Sequence, residues 1–126
     1  MKLSLLGLGS SLGDRIANLH LVIVHLSHYP NIKIMGVSSI YESPPLGCAE
    51  QLFLNSTVLI QSKHSPFGLL KICKDIEKRM GRVKSSRWSD RIIDIDILLF
   101  EGVRMTSKYL TLPHPEMLNR DFVIVP

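Results

Sequence analysis

Cysteines and long apolar runs are scarce in this sequence. Its 126 residues include two cysteines, Cys48 and Cys73. Two are too few for a disulfide framework, and their spacing is not that of a metal site, so we expect free thiols in a reducing compartment. The apolar run at residues 3–9 is too short for a signal sequence or a membrane span, and it is typical of a strand. These absences predict a soluble, cytoplasmic protein with no membrane partner.

The glycine-rich motifs of common nucleotide folds are also missing. No GxxxxGK[ST] run is present, which excludes a P-loop on motif grounds. Gly7, Gly9 and Gly13 follow G-x-G-x-x-x-G spacing instead of the dinucleotide-binding G-x-G-x-x-G, so a tight strand-to-helix turn explains them better. Aromatic residues make up 6% of the chain, and no predicted strand has two at positions i and i+2. This disfavours base stacking on a sheet and predicts no nucleic-acid partner.

What the sequence has is a core-forming composition and one basic segment. Hydrophobic residues are 45% of the chain and the net charge is +4, which is typical of one packed domain. Residues 71–91 contain eight basic and three acidic side chains, so the rest of the chain is close to neutral. A local basic patch indicates an anionic partner at one place, or a solvated helix face.

The hydrophobic pattern predicts the element order β-α-β-β-α-β. Ser65 and Pro66 are suited to the N-cap and first position of the second helix, which runs to Gly81. A short strand at residues 103–105 is expected to pair with the last main strand, and residues 111–115 are expected to form a loop. The order indicates an α+β, ferredoxin-like βαββαβ sandwich with a mainly antiparallel sheet and helices packed on it. Strands are predicted at residues 3–9, 32–41, 53–61 and 92–100, and the first helix at residues 15–28, with Ile16, Leu19, Val22, Ile23 and Leu26 on its apolar face.

Asp94 and Asp96 are the most informative residues. Strand side chains alternate, so both carboxylates point to one side while Ile93, Ile95 and Ile97 point to the other. Two neighbouring carboxylates in an apolar strand repel each other unless positive charge compensates them. Either Arg and Lys side chains form a structural ion-pair cluster with them, or a divalent cation such as Mg²⁺ binds there together with substrate phosphates.

A polar, basic loop at residues 82–91 precedes these aspartates, and we expect it to be mobile without ligand. Its arginines and lysine can bind phosphate groups, and Trp88 is expected to pack on a ligand or on the loop base. His114, between two prolines, suits a binding role or an exposed loop. Carboxylates for metal, guanidinium groups for phosphate and a mobile loop together indicate phosphoryl or pyrophosphoryl transfer.

Six separated motifs resemble, in order, those of the 6-hydroxymethyl-7,8-dihydropterin pyrophosphokinase family of folate biosynthesis. They are residues 9–14 (GSSLGD), 41–47 (YESPPLG), 53–55 (FLN), 81–83 (GRV), 87–96 (RWSDRIIDID) and 113–122 (PHPEMLNRDF). The resemblance implies transfer of the terminal diphosphate of ATP to a pterin hydroxymethyl group, with release of AMP. It also implies small-molecule substrates only, and a monomer or part of a fused folate enzyme.

The resemblance assigns roles to individual residues. Two Mg²⁺ ions are implied at Asp94 and Asp96, which are catalytic together with Arg82 and Arg91. A pterin ring is implied between Phe53 and Phe122. Further pterin contacts are implied at Ser43, Pro44, Leu46 and Asn55, and nucleotide contacts at Glu77, Lys84, Trp88, Arg91, Ile97, His114 and Arg120.

The sequence departs from the family pattern in a few places. Ser11 stands where Asn is usual, Ser89 and Asp90 replace a Gly-Pro or similar pair, and Lys84 takes a place often held by Arg. The family continues past the position of Pro126, so the resemblance implies one pyrophosphokinase domain at residues 1–126 without the family's C-terminal segment.

Two other functions stay open on the residues alone. A ferredoxin-like RNA-binding module is compatible with the fold class and the basic segment. A non-catalytic metabolite-binding domain is the second alternative, although it would not need two aspartates beside four basic loop residues.

Overall fold

The computed structural model describes residues 1–43, 52–82 and 91–115. Alternating apolar residues form the strands, and residues with helical spacing form the helices. The elements of these ranges are β1 (Lys2–Ser10), α1 (Arg15–Ser27), β2 (Ile32–Val37), β3 (Tyr41–Ser43), β4 (Phe53–Ser62), α2 (Pro66–Arg79), β5 (Asp94–Phe100), β6 (Met105–Thr106) and β7 (Thr111–Leu112).

The main sheet has the strand order β2-β4-β1-β5, with β3 also paired to β4. All of these pairings are antiparallel. Because each helix connects two strands that are not neighbours, β1 and β4 become the two central strands. The α+β, ferredoxin-like prediction is confirmed.

The core lies between one sheet face and the two helices. Leu6, Leu8, Val58, Ile95 and Ile97 of the sheet are buried there. The helices contribute Leu19, Val22 and Leu26 from α1, and Leu69, Cys73 and Ile76 from α2. Cys73 is a free thiol, and burial raises its pKa to about 12, so it serves as an apolar packing residue. Cys48 lies outside the described residues.

The sequence predicts the Ser65 cap of α2, and Asp14 caps the N-terminus of α1 in the same way. Asp14 Oδ1 accepts a hydrogen bond from Ala17 N at 3.1 Å, and Ser65 Oγ accepts one from Gly68 N at 3.1 Å. After α2, Gly81 takes a left-handed φ of +90°, which a side chain would disfavour. The turn lets Arg82 N donate to Glu77 O at 3.0 Å, so Arg82 returns over the last turn of α2.

Several local predictions were wrong. The strand predicted at residues 32–41 is split into β2 and β3, because Ser38 N donates to Thr57 O and Ser38 Oγ accepts from Thr57 N. The last main strand begins at Asp94 instead of Ile92. The Ile92 carbonyl oxygen accepts a hydrogen bond from a side chain of β1, not from the backbone of a neighbouring strand. The remaining errors concern β6, β7 and α1.

The short strand β6 pairs with β7, not with β5, and β7 lies in the stretch predicted as loop. After this hairpin, His114 N donates a hydrogen bond to Leu98 O at 2.9 Å, so the chain that follows the hairpin lies along the edge of β5. On α1, Ile16 is 61% exposed instead of lying on the apolar face. Neither described helix is both long and apolar enough to cross a membrane.

Candidate active site

Strand β5 presents the two aspartates on the sheet face opposite the helices. Asp94 lies beside Gly9 of β1, and Asp96 beside Gly7. Ile95 and Ile97 face the core, at 1% and 2% exposure, so the predicted alternation is confirmed. The Asp94 and Asp96 side chains keep 26% and 41% of their area exposed. Both carboxylates can therefore be reached by a ligand.

Two arginines flank Asp94. Arg82 Nη2 lies 3.6 Å from Asp94 Oδ1, and Arg91 Nη1 lies 3.3 Å from Asp94 Oδ2. Their side chains are only 24% and 16% exposed, and Arg82 Nε is buried with no hydrogen-bond partner among the described residues. The structure brings together these three residues, which the sequence predicted to act together. Asp94 therefore lies between two cations that can also bind phosphate oxygens.

Glu77 connects α2 to strand β5 and to Arg82 of the same group of charged side chains. Its Oε2 accepts a hydrogen bond from Ile95 N at 2.7 Å, and its Oε1 lies 3.5 Å from Lys74 Nζ and 4.0 Å from Arg82 Nη1. Glu77 is 2% exposed. Burial raises the pKa of its carboxyl, against the lowering effect of the Ile95 N–H and of Lys74. Its carboxylate is engaged by protein groups, and its predicted nucleotide contact stays a prediction.

On the β4 side of Asp94 lies a group of neighbouring side chains around Asn55, called here the Asn55 cluster. In register across the sheet, Asn55 is opposite Gly9, which is itself opposite Asp94. Asn55 is 4% exposed and its Nδ2 donates to Ser43 Oγ at 2.8 Å. A Cβ on Gly9 would lie 3.3 Å from Asn55 Oδ1 and 3.4 Å from the Phe53 ring. The three residues predicted to contact pterin here are thus adjacent to one another, over a glycine.

Beyond Asp96 lies a cavity of about 240 Å³. His114 lines it, and its Nε2 is 3.9 Å from Asp96 Oδ1. The cavity also contains Ile97, so these two residues of the predicted nucleotide site line it together. Its other lining residues are Leu70, Lys74, Ile95, Asp96, Ser107, Lys108, Tyr109, Leu110, Thr111 and Pro115.

Several predicted site residues fall outside the described ranges. These are Pro44, Leu46, Lys84, Trp88, Arg120 and Phe122, and the expected mobile loop falls there as well except for Arg82 and Arg91. Their roles remain predictions. Conversely, sequence reasoning does not assign Gly7, Gly9, Lys74 or Tyr109 to the site. From the sequence, Gly7 and Gly9 are interpreted as turn residues. Because they are two residues apart on a strand, both lie on the same strand face.

The donor set of this site is suited to Mg²⁺. The described ranges contain no group of three or more His, Cys, Asp or Glu side chains arranged to hold a metal ion. Asp94 and Asp96 nevertheless offer hard oxygen donors on one exposed face, and Mg²⁺ is commonly held by one or two carboxylates with substrate phosphates as the remaining ligands. The two aspartates therefore fit a metal that arrives together with a phosphate-bearing substrate.

Comparison with protein families identifies the family of this chain. The model of the 7,8-dihydro-6-hydroxymethylpterin-pyrophosphokinase (HPPK) family matches residues 5–126. The chain belongs to the HPPK family. The match begins within β1, includes all later elements to β7 and contains every residue predicted to form the site.

Individual HPPK proteins agree with this assignment. The chain is 43% identical over 122 residues to a 2-amino-4-hydroxy-6-hydroxymethyldihydropteridine pyrophosphokinase of Methylorubrum extorquens, covering 96% of this chain and 77% of that protein. It is 39% identical over 122 residues to the Bacillus subtilis enzyme of the same name, covering 96% and 73%. Among solved structures, Plasmodium falciparum HPPK-DHPS shares the fold at a TM-score of 0.70 and 16% identity, covering 98% of this chain and 39% of that one.

Proposed function

We propose that this chain is an ATP-dependent pterin pyrophosphokinase of folate biosynthesis. It transfers diphosphate from ATP to the hydroxymethyl group of 6-hydroxymethyl-7,8-dihydropterin and releases AMP. The observation that carries the proposal is the position of Asp94 and Asp96, with Arg82 and Arg91, between the Asn55 cluster and the His114 cavity. A phosphate chain spanning the two sites would pass the carboxylates and the guanidinium groups.

The Asn55 cluster is suited to the pterin. The Asn55 side chain has amide donor and acceptor atoms that match the alternating donors and acceptors on a pterin edge. The Phe53 ring supplies a flat apolar surface for stacking. Pro44, Leu46 and Phe122 are proposed to complete this site.

The cavity beyond Asp96 is suited to the nucleotide. Ile97 and Leu110 supply apolar surface for a base, while His114 and Lys74 supply donors near its polar end. Glu77, Lys84, Trp88 and Arg120 are proposed as further nucleotide contacts. ATP bound here would direct its phosphates toward Asp96.

Asp94 and Asp96 are proposed to hold Mg²⁺, two ions by the family resemblance. When bound, the metal neutralises phosphate charge and orients the phosphates. The chain's own contribution is positional: β5 holds both carboxylates on one face, and the guanidinium groups of Arg82 and Arg91 lie beside them. These fixed donors can stabilise negative charge that develops on the transferred group.

The reaction is a displacement at the β-phosphorus of ATP. The pterin hydroxyl oxygen forms the new P–O bond and gives up its proton, and the bond between the β-phosphorus and the bridging oxygen to the α-phosphate breaks. AMP leaves with that oxygen. The products are AMP and the pterin methyl diphosphate.

The described elements share one core, which supports a single pyrophosphokinase domain at residues 1–126. ATP as co-substrate supports the cytoplasmic location. The size of the Plasmodium HPPK-DHPS chain relative to this one supports the option that this domain occurs within a fused folate enzyme. The RNA-binding and non-catalytic alternatives receive no support from the family match.

The test is a product analysis. The protein is incubated with ATP, Mg²⁺ and 6-hydroxymethyl-7,8-dihydropterin, and nucleotides and pterins are separated by chromatography. We expect AMP and a pterin diphosphate in equal amounts. Neither product should form when excess chelator is present or when the Asp96→Asn variant is used. Formation of ADP, or no pterin-dependent AMP from folded protein, would contradict the proposal.

A further inference from the structure

The turn after β1 makes an unusual set of contacts with the segment that enters β5. Ser11 Oγ accepts a hydrogen bond from Arg91 N at 2.9 Å. Arg91 O in turn accepts from Ser11 N at 2.9 Å and from Leu12 N at 3.1 Å. Both backbone polar groups of Arg91 are therefore bonded to a turn 80 residues away in sequence.

A second serine extends these contacts by one residue. Ser10 Oγ donates to Ile92 O at 2.5 Å and accepts from Asn18 Nδ2 at 3.1 Å. Asn18 Nδ2 also donates to Leu12 O at 2.9 Å, which ties α1 to the same turn. Ser10 and Ser11 are both 0% exposed, so their bonds are shielded from competing water.

We propose that Ser11, assisted by Ser10, is a positioning residue that fixes Arg91 against Asp94 and so sets the rate of diphosphate transfer. Ser11 acts through the Arg91 backbone. Arg91 is close to the carboxylates because its main chain is held at this turn, from which its side chain reaches Asp94 Oδ2 at 3.3 Å.

The physical reason is the sensitivity of transition-state contacts to position. A guanidinium group that stabilises developing charge must be placed before the reaction, and a small displacement weakens it strongly. Without the Ser11 hydroxyl, the Arg91 N–H is a buried donor lacking its acceptor, and the segment must shift to satisfy it. Ser11 does not line the His114 cavity and is not part of the Asn55 cluster, so substrate binding should be spared.

This inference rests on the proposed function for its kinetic part, and a double-mutant cycle tests it. The proteins are the wild type, Ser11→Ala, Arg91→Ala and the double variant. We expect Ser11→Ala to lower kcat about tenfold, with little change in either KM. In the Arg91→Ala background the same substitution should change kcat less than about twofold, because the group that Ser11 positions is gone.

Ser4→Ala is the matched control. Ser4 is on the same strand as Ser10 and 2% exposed, but its Oγ has no hydrogen-bond partner in the described ranges. Its removal deletes the same atom at a similar depth, and kcat should match that of the wild type. If Ser11→Ala fails to fold, Ser10→Ala enters the same cycle. Equal losses of kcat from the serine substitution in both backgrounds would overturn the proposal.

A measurement without turnover separates this proposal from the proposed function. Hydrogen exchange of the Arg91 amide is followed in free wild type, Ser4→Ala and Ser11→Ala. We expect slow exchange in the first two and at least about tenfold faster exchange in the third. Unchanged protection in Ser11→Ala would refute the positioning role even in an active enzyme. Faster exchange in a protein without pyrophosphokinase activity would refute the proposed function and the kinetic role, and leave only the contact.

Discussion

At the scale of residues, Asp94 and Asp96 are chemically the same but have different surroundings. Asp94 has a guanidinium group on each carboxylate oxygen, at 3.6 and 3.3 Å. Asp96 has the His114 ring at 3.9 Å and a more exposed side chain. The ion-pair interpretation therefore describes Asp94 better than Asp96. Both interpretations of the pair are compatible, since a carboxylate can bind arginine in one state and metal in another.

We predict that Asp94→Ala and Asp96→Ala both abolish magnesium-dependent turnover but differ in stability. Asp94→Ala leaves Arg82 and Arg91 facing each other, partly buried, and should lower the free energy of unfolding by about 1–2 kcal/mol. Asp96→Ala should leave it nearly unchanged because its site is more open. Urea unfolding and AMP release are measured on the same preparations. Residual turnover in a folded variant, or a larger stability loss for Asp96→Ala, would contradict the metal assignment.

At the scale of elements, a side chain near the C-terminus of α2 provides a hydrogen-bond acceptor for the outer edge of β5. β5 pairs only with β1 in the main sheet of the described ranges, so its outward backbone groups need other partners. Glu77 supplies one by accepting from Ile95 N. A helix carboxylate thus secures the strand that carries both aspartates.

We predict a pH signature for Glu77. Because burial raises the pKa of Glu77 above the ordinary 4.5, the folded state holds the proton more tightly than the unfolded state. Its contribution to stability is therefore complete below pH 4.5 and is lost as the pH rises through the raised pKa. Urea unfolding should show the stability of Glu77→Gln improving relative to wild type from about pH 4 upward. Glu101→Gln is the control, since Glu101 accepts from Leu3 N at an exposed site; equal effects of both substitutions would contradict the role of burial.

Gly9 of β1 lies in close contact with two of the proposed pterin-binding side chains. We predict that Gly9→Ala raises the KM for the pterin about tenfold with little change in the KM for ATP. Its Cβ would press on Asn55 Oδ1 and the Phe53 ring, and Asn55 is held by Ser43. Gly36→Ala on β2 is the control, since nothing lies within 4 Å of its added Cβ. Steady-state kinetics with each substrate varied decide the matter, and an unchanged pterin KM in Gly9→Ala would place the pterin elsewhere.

At the scale of the whole molecule, the proposed pterin and nucleotide sites lie on different sides of the aspartate pair. Asn55 lies on the β4 side, and the His114 cavity lies beyond the edge strand β5. Each site is built from different elements, so one can change without the other.

We predict that Asn55→Ala raises the KM for the pterin and leaves the KM for ATP near wild type, while His114→Ala does the reverse. Isothermal titration with each substrate alone and steady-state kinetics provide two independent readings. If both variants weakened the binding of both substrates equally, the proposal of two separate sites would be wrong.

Local chemistry along the sequence determines much of this fold. Side-chain periodicity sets helix and strand, Ser65 with Pro66 sets a helix start, and alternation at residues 93–97 sets which side chains share a face. These features depend on neighbours a few residues apart, so the sequence predicts them correctly. The shared face of Asp94 and Asp96 is predictable for the same reason.

Only the tertiary structure decided what depends on residues far apart in sequence. The break between β2 and β3, the pairing of β6 with β7, and the burial of Glu77 under Ile95 each follow from contacts with distant strands or helices. The register of β1 with β4 and β5 puts Asn55, Gly9 and Asp94 in one row, and no local pattern encodes that row. The bonds from Ser10 and Ser11 to Ile92 and Arg91 are of the same kind, because a hydroxyl's partner is set by which segment the fold brings within about 3 Å of it.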